Sequence, residues 1–332
     1  MRLRRRALRR RSPRRRPLLP AVALLAVLAL SGCGVIASGS TPEPVARKTE
    51  VSWASGAGTA DPAAFATWRN RPVAVWTTWN DASTWSDMRQ LWTVDQFTAP
   101  TRFAGRMSFG QPLLDKTSTY AGCTAGSYDA DFRAIATGLV TRGFGDAFVR
   151  LGWEMNSGDY RWKVGTNYAG FIGCFTRAAK IFKAASPAFV VEWNPAATAT
   201  ATRIDLTYPG DGVVDQVGAD YYDGWPAADT AAAFDAKCQA TDGDSPVGLC
   251  RLADFARAHH KKLSVPEWGI RNQAASGSGD NALFVRGMFD FFVRNRDILA
   301  YEAYFDLEGP RFELSHGANP RAAATYRALW SA

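Results

Sequence analysis

The sequence has little with which to bind a metal. Only three histidines occur in 332 residues, His259, His260 and His316, and they are not spaced as a ligand set. The five cysteines include no C-x-x-C pair, which disfavours a structural zinc site. No serine sits in a G-x-S-x-G elbow and no histidine follows a strand-like run, so the usual apparatus of acyl transfer is missing. The apolar run Leu18–Leu30 stops at 13 residues, whereas a membrane-spanning helix needs about 20. Acidic residues are absent from the first 32 positions.

That last absence governs the charge. Ten arginines lie within Met1–Arg16; without them the 39 Lys and Arg become 29 against 31 Asp and Glu, and the formal +8 becomes −2. The basic balance therefore belongs to the leader. No basic stripe remains to neutralise phosphates, so nucleic acid is not expected as a partner. An Arg-rich stretch followed by a short apolar run reads as an export signal over residues 1–32. Arg15-Arg16-Pro17-Leu18-Leu19 also fits a loose twin-arginine pattern, which leaves the export route open. The run closes on Leu30-Ser31-Gly32-Cys33, which resembles a bacterial lipobox. The resemblance implies cleavage before Cys33, a diacylglycerol on its sulfur, and residence on the outer face of the cytoplasmic membrane. The alternative is ordinary cleavage and free secretion. The Gly/Ser/Thr/Pro segment Gly34–Pro44 lies in a flexible tether over residues 33–49.

With Cys33 assigned to lipid, Cys123, Cys174, Cys238 and Cys250 remain, an even number in an exported chain, and two disulfides are expected. Cys123–Cys174 with Cys238–Cys250 is the favoured pairing, because the second closes a short loop across Gly/Asp/Pro-rich sequence.

What is present in quantity is aromatic and apolar: 47% hydrophobic residues and 12 tryptophans. From residue 50 onward, β-rich runs alternate with amphipathic helical stretches. Strands are predicted at Glu50–Ala54, Val73–Trp79, Arg102–Ser108, Ala147–Trp153, Ala188–Trp193, Asp215–Tyr221, Lys262–Pro266 and Ile298–Phe305. Helices are predicted at Pro62–Arg69, Ser86–Gln96, Asp129–Arg142, Tyr168–Ala185, Leu249–His260, Asn281–Arg296 and Arg321–Trp330. Strict alternation implies parallel pairing with crossover helices. Eight such units in about 285 residues match a single closed (β/α)8 barrel over residues 50–332. A doubly wound open sheet is the structural alternative. It would announce a Gly-rich first turn, but Gly56-Ala57-Gly58-Thr59-Ala60-Asp61 lacks the third glycine. Tyr222–Cys250 reads as an elaborated loop on the catalytic face. Trp85 and Trp92, at helical spacing (i, i+7), are expected in the core.

Barrel enzymes carry their chemistry at the C-terminal ends of the strands. Here those ends present Trp79-Asn80-Asp81, Trp153-Glu154-Met155-Asn156, Glu192-Trp193-Asn194, Asp220-Tyr221-Tyr222, Pro266-Glu267-Trp268 and Tyr304-Phe305-Asp306. Carboxylates, asparagines and large aromatics form the inventory that glycoside cleavage needs. One carboxylic acid protonates the departing oxygen, one carboxylate meets the anomeric carbon, and aromatic faces stack on sugar rings. Trp79, at a strand end, is the expected sugar platform.

Arg150-Leu151-Gly152-Trp153-Glu154-Met155-Asn156, followed by Tyr160-Arg161-Trp162, resembles the acid/base motif of glycoside hydrolase family 26. Val217-Gly218-Ala219-Asp220-Tyr221-Tyr222 and Pro266-Glu267-Trp268-Gly269 follow in the family's order, although these two are shared by the wider clan of retaining barrel glycosidases. The resemblance covers roughly residues 50–330. It implies a retaining hydrolase of mannan- or β-glucan-type polysaccharide, with Glu154 as acid/base and Glu267 as nucleophile. Arg150 would orient the fourth-strand site and Tyr222 would hydrogen-bond the nucleophile. Trp153, Asn156, Tyr160, Trp162 and Trp268 would line the substrate site. The sequence departs from the family at Trp153, where a histidine is usual, at Ser157, where glycine is usual, and at Asp159, in an aromatic position. These departures leave the polysaccharide open. No cofactor or metal is called for, and a monomer is expected. Two other readings remain: a surface lipoprotein that binds carbohydrate without cutting it, and a transglycosylase on the same barrel.

Overall fold

The computed structural model describes residues 51–95, 103–273 and 276–332, so the leader, Cys33 and the tether lie outside the described residues. The described residues all fall within one compact unit. Eight parallel strands close on themselves: β1 (Ala54–Thr59), β2 (Val75–Trp79), β3 (Arg106–Gln111), β4 (Phe148–Leu151), β5 (Val190–Trp193), β6 (Gln216–Gly218), β7 (Lys262–Gly269) and β8 (Leu299–Asp306). Each pairs with its neighbours in chain order, and β8 returns to β1 from Ala54↔Tyr301 to Thr59↔Asp306. This is the (β/α)8 barrel, not the open sheet.

The crossover helices start and stop where their side chains dictate. In Pro62–Arg69, Asp61 Oδ1 caps the amides of Ala63 and Ala64, proline stands in the first turn, and Asn70 closes the helix in the left-handed region. Tyr168–Ala185 buries Phe171, Cys174, Phe175, Ala178 and Phe182, one stripe at three- and four-residue spacing.

Several elements fall elsewhere than predicted. The first strand is not Glu50–Ala54 but the glycine-bearing segment read as the turn after it. A Cβ at Gly56 would sit 2.3 Å from Val75 O, so the close approach of β1 to β2 requires glycine there. The third strand begins four residues late, at Arg106. The predicted Ser86–Gln96 helix breaks at Leu91, whose φ is 56°, into Trp85–Gln90 and Trp92–Asp95. The break separates the two tryptophans: Trp85 is buried, while Trp92 is 50% exposed. Tyr221–Tyr222 leaves β6 and pairs with Trp268–Gly269 at the end of β7. The Tyr222–Cys250 segment is not all loop; it contains the helix Ala231–Cys238 and the hairpin Thr241-Asp242 with Ser245-Pro246.

Both expected disulfides are present, Cys123–Cys174 and Cys238–Cys250. The second staples the excursion after β6 to the helix Leu249–Ala258, and closing a loop of that length is worth about 3 kcal/mol.

Polar side chains floor the barrel. Glu192 of β5 accepts from Gln216 Nε2 (2.5 Å), Ser264 Oγ (3.1 Å) and Tyr301 OH (3.0 Å). Burial pushes its carboxyl up to about 7, and this hydrogen-bonded cage satisfies it without an ion pair. Outside the barrel, Glu302 accepts from the indoles of Trp268 (2.6 Å), Trp330 (2.9 Å) and Trp53 (3.4 Å). Much of the tryptophan therefore serves the interface between sheet and helices.

Candidate active site

A cleft of about 670 Å³ opens at the C-terminal end of the barrel, and the ends of β2, β4, β5, β6, β7 and β8 all contribute to its wall. Glu154 and Glu267 both line it. Two local irregularities bring them there. Strand alternation would place Ser264 and Glu267, three residues apart, on opposite faces. A register shift between Val265 and Trp268 turns both inward, Ser264 to the floor and Glu267 to the cleft. After β4 the chain turns through two left-handed residues, Gly152 (φ 57°) and Glu154 (φ 49°), with the Glu154 amide tied to Asn194 O at 2.7 Å.

A glutamate in the left-handed region carries strain of about 1–2 kcal/mol that the surrounding contacts must offset. Glu154→Gly is accordingly expected to unfold at higher denaturant than Glu154→Ala, by about 1 kcal/mol, since both remove the carboxyl and only glycine relaxes the backbone. Equal midpoints would show that this backbone is unstrained.

Glu267 is 6% exposed and held from three sides. Its Oε1 accepts from Arg150 Nη1 at 2.6 Å and from Trp79 Nε1 at 2.7 Å, and its Oε2 accepts from Tyr222 OH at 2.9 Å. Arg150 is fully buried on β4 and also reaches Asp220 Oδ2 at 3.5 Å and Asn194 Oδ1 at 3.2 Å. Its Nε and Nη2 have no hydrogen-bond partner, but the guanidinium lies 5.6 Å from the Trp79 ring and 6.0 Å from Trp153. Burial would loosen its proton, and the charges of Glu267 and Asp220 outweigh that.

Glu154 is half-buried, with Oε2 3.3 Å from Tyr160 OH. Burial, then the charge of Glu267, push its carboxyl up to about 8 against the pull of Arg150, Tyr160 and Arg271. Asp220 is likewise held well above the ordinary carboxylate range by burial and by Glu267. One carboxyl raised by burial and by a neighbouring charge, beside another gripped by three donors, makes a pair in two distinct environments.

The structure gathers Glu154, Glu267, Trp79, Trp153, Tyr160 and Tyr222 around the cleft, with Arg150 just beneath. Arg150 therefore partners a carboxylate and does not line the cleft. Three other residues expected at the substrate site do not line it either. Trp162 is 1% exposed, stacks on Tyr160 at 4.6 Å and donates to Trp153 O. Trp268 alternates outward from Glu267 into the helix layer, where it meets Glu302. Asn156 spends both amide atoms on the backbone of Ala196, at 2.9 Å each, tying the β4 loop to the β5 loop. The sequence reading missed Trp225, 74% exposed on the cleft wall, and Arg271 and Arg311, the latter beside Phe312. Burial and the neighbouring Arg311 pull the Arg271 guanidinium below its ordinary value. Arg271 carries a signal that could have been read, since it stands four residues beyond Glu267 at a strand end; Trp225, in a loop, and Arg311, in the short 3-10 turn Gly309–Arg311, carry none.

Several solved structures share this barrel. Bacillus subtilis mannanase BCman superposes with a TM-score of 0.57 at 18% identity, over 85% of this chain and 87% of that one. Bacillus subtilis mannanase man26 gives 0.58 at 16%, over 85% and 86%. The catalytic domain of the family 26 endo-β-1,4-mannanase of Bacillus sp. JAMB-750 gives 0.55 at 16%, over 79% and 78%. No family model and no curated protein matches the sequence. At these identities the likeness establishes the fold, a barrel of the kind seen in glycoside hydrolase family 26.

Proposed function

We propose that the protein is a retaining glycoside hydrolase that cuts within chains of a β-linked polysaccharide of mannan or β-glucan type. The observation that carries this reading is the asymmetric carboxyl pair. Glu154, kept protonated by burial and by its neighbour's charge, gives its proton to the departing glycosidic oxygen. Glu267, oriented by Arg150, Trp79 and Tyr222, attacks the anomeric carbon and forms a glycosyl ester. Glu154, now a carboxylate, takes a proton from the water that cleaves the ester, so the anomeric configuration is kept. Trp79, Trp153 and Trp225 offer apolar faces for sugar rings, and a cleft walled by six strand ends suits an internal stretch of chain. The named neighbours are mannanases, which favours mannan as the first polymer to try.

The test is release of reducing ends from β-mannan, mixed-linkage β-glucan, xylan and cellulose. Release from one of the first two supports the reading. Binding without release would favour the carbohydrate-binding alternative, motivated by Trp153 in place of histidine. Longer products at high sugar concentration would favour transglycosylation.

We further propose that the mature chain is lipidated at Cys33 and anchored outside the cytoplasmic membrane. The two disulfides support an oxidising compartment. Cys33→Ala should move the protein from the membrane fraction to the soluble one; unchanged membrane association would refute the anchor.

A further inference from the structure

The cleft holds more positive charge than its reacting carboxyls use. Arg150 is committed to Glu267 and Asp220 beneath the floor. Lys237 Nζ is taken by Asp223 Oδ1 and by the carbonyls of Gly224 and Pro226. Arg271 has no such commitment. It lines the cleft half-buried, its Nε is buried without a hydrogen-bond partner, and among the described residues its side chain makes no ion pair or hydrogen bond. Arg311 lines the same wall. Its Nε is also buried and unpartnered, and among the described residues its single ion pair is with the exposed Glu308, at 3.3 Å.

The two arginines are built to stay together. Asn272 N donates to Arg311 O at 2.8 Å, directly joining the loop after β7 to the loop after β8. Asn272 Nδ2 donates to Asn319 Oδ1 at 2.7 Å, and Asn319 Nδ2 donates to the carbonyls of Pro310 and Glu313, at 2.9 Å each. Arg271 O receives the amides of Gln273, Ser278 and Gly279. Holding two like charges side by side away from full solvent is unfavourable unless an anion joins them. A guanidinium fork matches a planar carboxylate or a sulfate, and it gains most where water is partly excluded. The carboxylates nearby do not fill that place: Glu267 is taken by Arg150, Trp79 and Tyr222, and burial with Arg311 outweighs the pull of Tyr222, Glu154 and Glu308 on the Arg271 guanidinium, with which none of these carboxylates forms an ion pair among the described residues.

Resting on the reading of this cleft as a polysaccharide site, we infer that the substrate is an anionic β-linked polysaccharide, whose uronate carboxylate or sulfate ester is received by Arg271 and Arg311. The two arginines recognise the charged substituent, while Glu154 and Glu267 act on the linkage beside it.

The experiment measures equilibrium binding and reducing-end release for five oligosaccharides. Two are neutral, of β-1,4-mannan and cellulose type. Two are their uronate counterparts, β-1,4-mannuronate and β-1,4-glucuronate, and one is a 6-O-sulfated β-1,4-manno-oligosaccharide. A carboxylate or sulfate ligand should bind about tenfold or more tightly than its neutral counterpart, the worth of a charge-assisted hydrogen bond. Whichever anion binds identifies the substituent. In Arg271→Gln and Arg311→Gln the ratio of acidic to neutral affinity should fall toward one. Arg271→Lys keeps the charge without the fork and should recover part of it, which separates recognition from damage to the fold. Cleavage of neutral chains with no preference for their acidic counterparts overturns the inference and leaves the hydrolase standing. Arginine-dependent binding of an acidic chain with no cleavage of any chain does the reverse. Failure of all three acidic ligands to bind also overturns the inference.

Discussion

In the proposed reaction, Glu267→Ala is expected to lower turnover at least about 10⁴-fold, because among the described residues no other carboxylate is placed to form the glycosyl ester. Asp220 is the nearest substitute, but it lies in the floor, fully buried and shared with Arg150. The alanine variant also leaves the buried Arg150 guanidinium with only Asp220, at 3.5 Å, as a charged partner, so some loss of stability is expected beside the loss of activity. Glu267→Gln separates the two effects. It keeps the shape, remains able to accept from Tyr222, and should be as inactive as the alanine variant while unfolding closer to wild type. Azide supplied to Glu267→Ala should restore part of the rate and leave a glycosyl azide of inverted configuration, since the small anion occupies the vacated space. Residual activity within tenfold of wild type would remove Glu267 from the reaction.

The second large effect belongs to Glu154 and depends on pH. Its carboxyl is raised to about 8 by burial and by the charge of Glu267. A general acid works in its protonated form, so kcat/KM should hold its value below that region and fall as pH rises through about 8. The direction follows from the raised value: ordinary glutamate would already have lost the proton at neutral pH. Glu154→Ala should cost about 10²–10⁴-fold on polysaccharide, abolish the alkaline fall, and cost far less on an aryl glycoside whose leaving group needs no proton. An alkaline limb that survives in Glu154→Ala would mean that another group donates the proton.

Elements with strong local rules were legible in the sequence. Pro62–Arg69 and Tyr168–Ala185 fall where their caps and apolar stripes place them. The first strand was not legible, because a barrel strand pressed against its neighbour reads as a glycine-rich turn when only composition is seen. Glu154 and Glu267 could be found at strand ends by chemistry and by motif. Which tryptophans face the cleft could not, because facing depends on the register shift in β7 and on packing against helices distant in sequence. Trp268, adjacent to Glu267, points away from the cleft, whereas Trp79, nearly 190 residues earlier in the chain, donates to it. Arg271 stands close enough to a strand end to be read as a candidate, but only the structure shows that its side chain makes no ion pair or hydrogen bond among the described residues on the cleft wall.

The most direct test is to trap the intermediate. A 2-fluoro glycosyl fluoride built on the cleaved polymer's repeating sugar slows hydrolysis of the ester, and mass spectrometry of the digested protein then locates the adduct. The account predicts one sugar on the peptide bearing Glu267, at full occupancy, accumulating more slowly in Glu267→Gln or not at all. A sugar found on another carboxylate, or products released with inverted configuration and no adduct, would contradict it.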